Sequence, residues 1–205
     1  MPRIESLSRE VWKDNEFRFK WVLGGVLGSI PLLNLLVLGY FLRYARQLRH
    51  GGDLHLPEWD NWGDLLLDGV RMLVLQLVFL GLPVLAGLIV SSLLSWLLTA
   101  LYLGFFGSTV AWLFFFGAMG LGLLLWSAAL QRYLPSQDWG RVFDLPAVWG
   151  TALRMLPAMV VPTLCFWGLM FIGWPLLGFT FFLGFGPYVA YGTAAYMKRQ
   201  QLPMS

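Results

Sequence analysis

Charge is confined to four places in this chain: residues 1–20, 43–71, 132–154 and Lys198–Arg199. Between them lie three tracts, 21–42, 72–131 and 155–197, without a single Asp, Glu, Lys or Arg. A bilayer core of ~30 Å takes about 20 helical residues per crossing, and within it a helix satisfies its own backbone. Tract 72–131 therefore holds two crossings with a turn near "TALYLGFFGST" (99–109), and tract 155–197 holds two with a turn at "GWPLLG" (173–178). Each pair is a hairpin that returns to the side it left. Residues 43–71, 132–154 and the C-terminus are thus expected at one membrane face.

Composition agrees. The 205 residues are 58% hydrophobic and only 12% charged, with a mean hydropathy of +0.68; soluble domains usually carry about a quarter charged residues. The net charge of +3 comes from cations scattered among apolar spans. That pattern lacks the clustered basic patch of a nucleic-acid binder, so no nucleic acid is expected as a partner. Cys165, the one cysteine, excludes an internal disulfide framework. The opening "MPRIESLSREVWKDNEFRFK" has no apolar core ending at a cleavage site, so it does not read as a secretory signal peptide. Ile4, Leu7, Val11 and Trp12 share a face there, which predicts an interfacial helix over 1–20.

Tract 21–42, "WVLGGVLGSIPLLNLLVLGYFL", admits two readings. One is a spanning helix kinked at Gly24, Gly25, Gly28, Pro31 and Asn34, anchored by Trp21 and Tyr40. The other is a re-entrant hairpin with its tip at "GSIPLLN", which would gather every Lys and Arg on one face. A weak internal repeat favours the spanning version. Arg43–Tyr44, Leu56–Pro57, Trp62–Gly63 and Arg71–Leu73 recur, with the second copy shortened, as Arg132–Tyr133, Leu145–Pro146, Trp149–Gly150 and Arg154–Leu156. A parallel duplication of helix, collar and helix is the expectation.

The first collar, "GGDLHLPEWDNWGDLLLDGVRML" (51–73), concentrates polar chemistry. Pro57 suits the first turn of a helix. With a helix from there, Trp59, Trp62, Leu66, Gly69 and Leu73 form an apolar stripe, and Asp60, Asp64 and Asp68 an acidic one. Arg43, Arg46 and Arg49 leave the preceding segment as a basic stripe. The acidic stripe is expected to be structural, held near those arginines. Arg43, Arg46, Arg49, Arg132 and Arg141 are candidate lipid-headgroup or phosphate contacts, because guanidinium forks suit phosphate. His50 and His55 match no metal-ligand spacing, so no metal is expected. The spans hold no ionisable side chain for intramembrane catalysis or ion coupling. No catalytic residue and no cofactor is expected. Asn34, Gln76, Ser91, Ser92, Ser95, Thr99, Ser127, Thr163 and Thr180 are expected to hydrogen-bond between helices or to their own backbone.

The segment from Gly28 to Leu73 resembles the prokaryotic membrane-protein family catalogued as domain of unknown function 4013. The resemblance rests on Ile30–Pro31, Asn34, Gly39–Tyr40, Arg43 with Arg46, Gly51, Leu56–Pro57–Trp59 and the run Asp60 to Asp68, and later on "RVFDL" at 141–145. It implies an integral membrane protein with no assigned activity and no catalytic residues to carry over. The expected fold is a single all-α, polytopic membrane domain over 1–205. It comprises about five transmembrane helices, the first kinked or re-entrant, and two amphipathic interfacial collars. Its parts are the N-terminal helix 1–20, repeat units 21–106 and 107–173, and a final transmembrane helix 174–197. The expected location is a prokaryotic inner membrane, with collars and C-terminus cytoplasmic. The expected role is a non-enzymatic accessory or scaffold subunit packing against lipid, a membrane-protein partner or its own copies. The alternative is a small-molecule or lipid transporter or channel acting as an oligomer.

Overall fold

The computed structural model describes residues 17–50 and 56–200. The expected interfacial helix over 1–20 lies outside the described residues, apart from its last four positions. All regular structure among the described residues is helical: α1 Phe17–Ser29, α2 Asn34–Arg49, α3 Trp62–Gln76, α4 Leu82–Ala100, α5 Gly104–Tyr133, α6 Trp139–Phe143, α7 Leu145–Ile172 and α8 Leu177–Gln200. A π turn, Leu77–Gly81, joins α3 to α4, so Trp62–Ala100 runs as one 39-residue rod. Pro83 explains the widened turn. It cannot donate to the Phe79 carbonyl and would collide with it, and one extra residue in the turn absorbs the conflict.

Three helices among the described residues are long and apolar enough to cross a membrane, against the five expected: Trp62–Ala100, Phe106–Tyr133 and Leu145–Ile172. Helix α8 is long enough at 24 residues but is less apolar, being interrupted by Gly, Tyr and Thr. It begins at Leu177, after a 3-10 turn Trp174–Leu176, rather than at 174. The α4–α5 turn falls at residues 101–103, with Tyr102 at φ 61°.

Tract 21–42 does not form one continuous helix. Proline disfavours helix in the residue before it, and the chain breaks at Ile30–Leu33 with Leu32 at φ 73°. At the base of α1, the Lys20 ammonium donates to the Leu56 carbonyl at 2.9 Å. Residues 20 and 56 flank the whole excursion, so the chain comes back to where it left. This is a helical hairpin, the geometry on which the re-entrant reading rests. Its glycines serve close approach rather than a kink. The Phe182 and Phe179 rings lie where a Cβ on Gly24 or Gly25 would stand, and Gly28 packs on the backbone of Gly178 in α8.

A second close crossing sets α2 against α3. A Cβ on Gly39 would collide with the Leu65 carbonyl, and one on Gly69 with the Leu35 carbonyl. Behind it lies an aromatic core in which Tyr40, Phe41, Tyr44, Trp126, Tyr133 and Phe185 are fully buried. Helices α5 and α8 run side by side through Trp126–Phe185 and Trp126–Tyr188, and α7 joins them through Phe166–Tyr188.

Candidate functional site

The polar chemistry gathers where the C-terminal ends of α2, α5 and α8 meet the middle of α3 and the loop before it. Arg46 grips Asp68 with both Nη atoms, at 2.6 and 2.9 Å, and Arg71 donates to the same carboxylate at 2.8 Å. Asp68 is nearly enclosed, its side chain 7% exposed. Arg43 pairs with Asp60, whose side chain is 56% exposed, and also reaches the Asp60 backbone carbonyl at 3.3 Å. Arg49 donates to the Gln131 carbonyl at 3.0 Å and lies over the Tyr196 ring at 5.2 Å. One helix of arginines thus ties the first collar to the ends of α5 and α8.

An aromatic clasp closes the collar. The Tyr40 hydroxyl donates to the Pro57 carbonyl at 2.9 Å, and Trp59 stacks on the Tyr40 ring at 4.2 Å. Beside it, burial holds the Tyr44 hydroxyl above its ordinary pKa, so it stays protonated.

The acidic stripe is not one helix face. Residues 56–61 are extended or bent, and α3 starts only at Trp62, after Asn61 in a left-handed conformation at φ 48°. Pro57 therefore lies outside the helix. Asp60 precedes it as well. Asp64 points to solvent, in no ion pair among the described residues. Asp68 turns inward with Leu65, Gly69, Met72 and Leu75. The apolar stripe shifts accordingly: Trp62 and Leu66 are exposed, while Leu65 and Met72 are core. An interior charge on the packed face ran against the amphipathic pattern, which is why periodicity assigned the faces wrongly. Lys20 was missed too, since a lysine at the edge of an apolar tract reads as a flanking charge.

The second collar is built differently. Arg132 donates to the Arg141 carbonyl at 2.9 Å and to the Asp144 carboxylate at 3.4 Å. Asp138 caps α6 through the Gly140 N–H, and Asp144 caps α7 through the Ala147 N–H. Leu145–Pro146 thus opens α7 directly, whereas its counterpart Leu56–Pro57 lies in a loop. The Arg141 guanidinium is exposed and in no ion pair among the described residues. The five candidate phosphate-binding arginines therefore do not converge: three lie on α2, Arg43 and Arg46 engaged with Asp60 and Asp68 and Arg49 with Gln131 and Tyr196, and two stand in the second collar.

Between α5 and α8 runs a buried polar line. Gln131 Nε2 donates to the Thr193 hydroxyl at 3.0 Å, and the Ser127 hydroxyl meets that of Tyr188 at 3.1 Å. Elsewhere hydroxyls bond back to their own helix, Ser91 to Leu88 and Thr99 to Ser95. Among the described residues no three His, Cys, Asp or Glu side chains are grouped to hold a metal ion. Among the described residues of the collar, Asp60 pairs with Arg43 and Asp68 with both Arg46 and Arg71.

A family model described as "Protein of unknown function (DUF4013)" matches residues 22–183. No curated protein and no solved structure matches the chain.

Proposed function

The chain belongs to the DUF4013 family, and from that premise and the geometry of the collar we propose that it is a non-enzymatic integral membrane protein, an accessory or scaffold subunit. Its place is the inner membrane of a prokaryote. Helices α3–α4, α5, α7 and α8 make four crossings, and α1–α2 dips in and returns. Every Lys and Arg then lies on one side, which the positive-inside rule assigns to the cytoplasm.

One observation carries the scaffold reading. Only 17% of the most apolar stretch of Trp62–Ala100 is buried, and Leu77, Leu82, Leu85, Ile89, Leu93 and Trp96 stand exposed along it. A helix so poorly covered by its own fold offers its length to lipid, to a membrane partner or to a second copy. Ion-coupled transport draws little support from the interior: the buried ionisable side chains among the described residues, Lys20 and Asp68, are held by the Leu56 carbonyl and by Arg46 and Arg71 at the first collar.

Purification in mild detergent after in-cell cross-linking tests the reading. A stoichiometric membrane-protein partner or a homo-oligomer joined through Trp62–Ala100 is expected. Solute flux across proteoliposomes holding the purified protein alone would overturn it in favour of a transporter.

A further inference from the structure

An apolar groove of about 740 Å³ opens beside the π turn, lined by Val78, Phe79, Pro83, Leu125, Phe143 and Trp149 among others. It lies where α4 and α5 meet the start of α7, and Trp149 stands half-exposed at its edge. Phe79 from the π turn meets Phe143 from the second collar, ring centroids 6.5 Å apart, at the head of the groove. Such a volume is typical of a small-ligand pocket, and tryptophan at an apolar edge is characteristic of the headgroup boundary.

Charge decides what fits. Asp68 accepts from both Arg46 and Arg71, and one carboxylate against two guanidinium groups leaves one positive charge over. Arg71 is the more exposed partner, 42% against 21% for Arg46. It precedes Val78 by seven residues, two helical turns or ~10 Å along the rod, on the side that carries the groove. The headgroup layer of a bilayer is roughly 5–8 Å deep on each side, within reach of a long arginine. Asp64 lies a further two turns away, also about 10 Å, where water and salt screen it. A cation above an apolar groove complements an acyl chain below a phosphate.

We propose that this groove holds an acyl chain of an anionic glycerophospholipid whose phosphate rests against Arg71. The inference depends on the chain being embedded in a bilayer, as read above, and not on its being a scaffold. The wide π turn then has a use beyond accommodating Pro83: it places Val78 and Phe79 at the groove.

Native mass spectrometry of the whole protein, given an equal mixture of phosphatidylglycerol and phosphatidylcholine with matched chains, tests it. Wild-type protein should retain the anionic lipid about fivefold more often, the factor one arginine contributes near a charged lipid surface. Arg71→Gln should bring the ratio to parity while neutral lipid still binds, and Arg71→Lys should preserve most of the preference. Ala86→Trp, at an exposed position that lines the groove, should reduce retention of both lipids. Equal retention by wild type, or an unchanged ratio in Arg71→Gln, overturns the proposal. So does displacement of phosphatidylglycerol by inorganic phosphate alone, which would mark a phosphate site with no part for the groove. Recovery of the protein from cells without detergent would instead refute the membrane reading itself, a separate result.

Discussion

Asp68 carries a burden that its neighbours in the acidic run do not. It is almost enclosed and holds two arginines, whereas Asp60 is half-exposed with one and Asp64 faces water. Removing one partner of a buried ion pair costs ~3–5 kcal/mol because the other charge stays behind unpaired. An exposed pair contributes about 0–1 kcal/mol. Single Asn variants, melted in detergent, should therefore rank clearly: Asp68→Asn strongly destabilised, Asp60→Asn slightly, Asp64→Asn unchanged. Equal losses at all three positions would mean that the stripe acts as a unit after all. The sequence made the kinship of these carboxylates and Arg43, Arg46 and Arg49 legible, because opposite charges concentrated a dozen residues apart need each other when little else is polar. Their division of labour was not legible. It depends on Asn61 adopting a left-handed turn and delaying the helix to Trp62, a local choice that spacing does not encode.

At the scale of elements, glycine positions decide more than helix length does. The 22 residues of 21–42 are long enough for one crossing, and length alone argued for it. The break at Pro31 and the return of Lys20 to Leu56 prevailed because α8 offers a surface on which Gly24, Gly25 and Gly28 let the hairpin lie flat. That surface is some 150 residues away in sequence, beyond the reach of any periodicity. The long hairpins were easier to read, since 60 and 43 uncharged residues leave a bilayer chain few alternatives. The α2–α3 crossing gives a test. Gly39 and Gly69 touch the facing backbone, while Gly63 has open space around it. Small residues are what let helices approach so closely. Gly39→Val and Gly69→Val should each lower the melting temperature, an overpacking cost of ~1–3 kcal/mol. Gly63→Ala should leave it unchanged or raise it, because alanine is the better helix former by about 1 kcal/mol. If Gly39→Val melted like wild type, the tight crossing would not be a feature of the folded protein.

For the whole molecule, one hydrogen bond links local geometry to membrane topology. Lys20 beside Leu56 sets the entry of the first hairpin next to the first collar. Arg49 on the Gln131 carbonyl and over Tyr196 sets that collar beside the second and beside the end of α8. The turn at residues 101–103 closes the α4–α5 hairpin; the turn at 173–176 lies closer to α1, whose Trp21 indole donates to the Phe179 carbonyl at 3.2 Å. If the collar end is cytoplasmic and 21–42 re-enters as proposed, the number of crossings is even. A reporter active only in the cytoplasm should then give signal when fused before Met1 and after Ser205, and none when inserted at Tyr102. Signals of opposite sense at the two ends would require 21–42 to span, and with it an odd number of crossings. Signal at Tyr102 with none at either end would keep the architecture and invert it. Charge makes that inversion costly: moving the arginine-rich face outward would oppose the bias that orients membrane helices during insertion. Adding four lysines to the 101–103 turn should therefore weaken the cytoplasmic signal at Ser205, while four glutamates there should leave it nearly intact, since acidic residues contribute little to the bias.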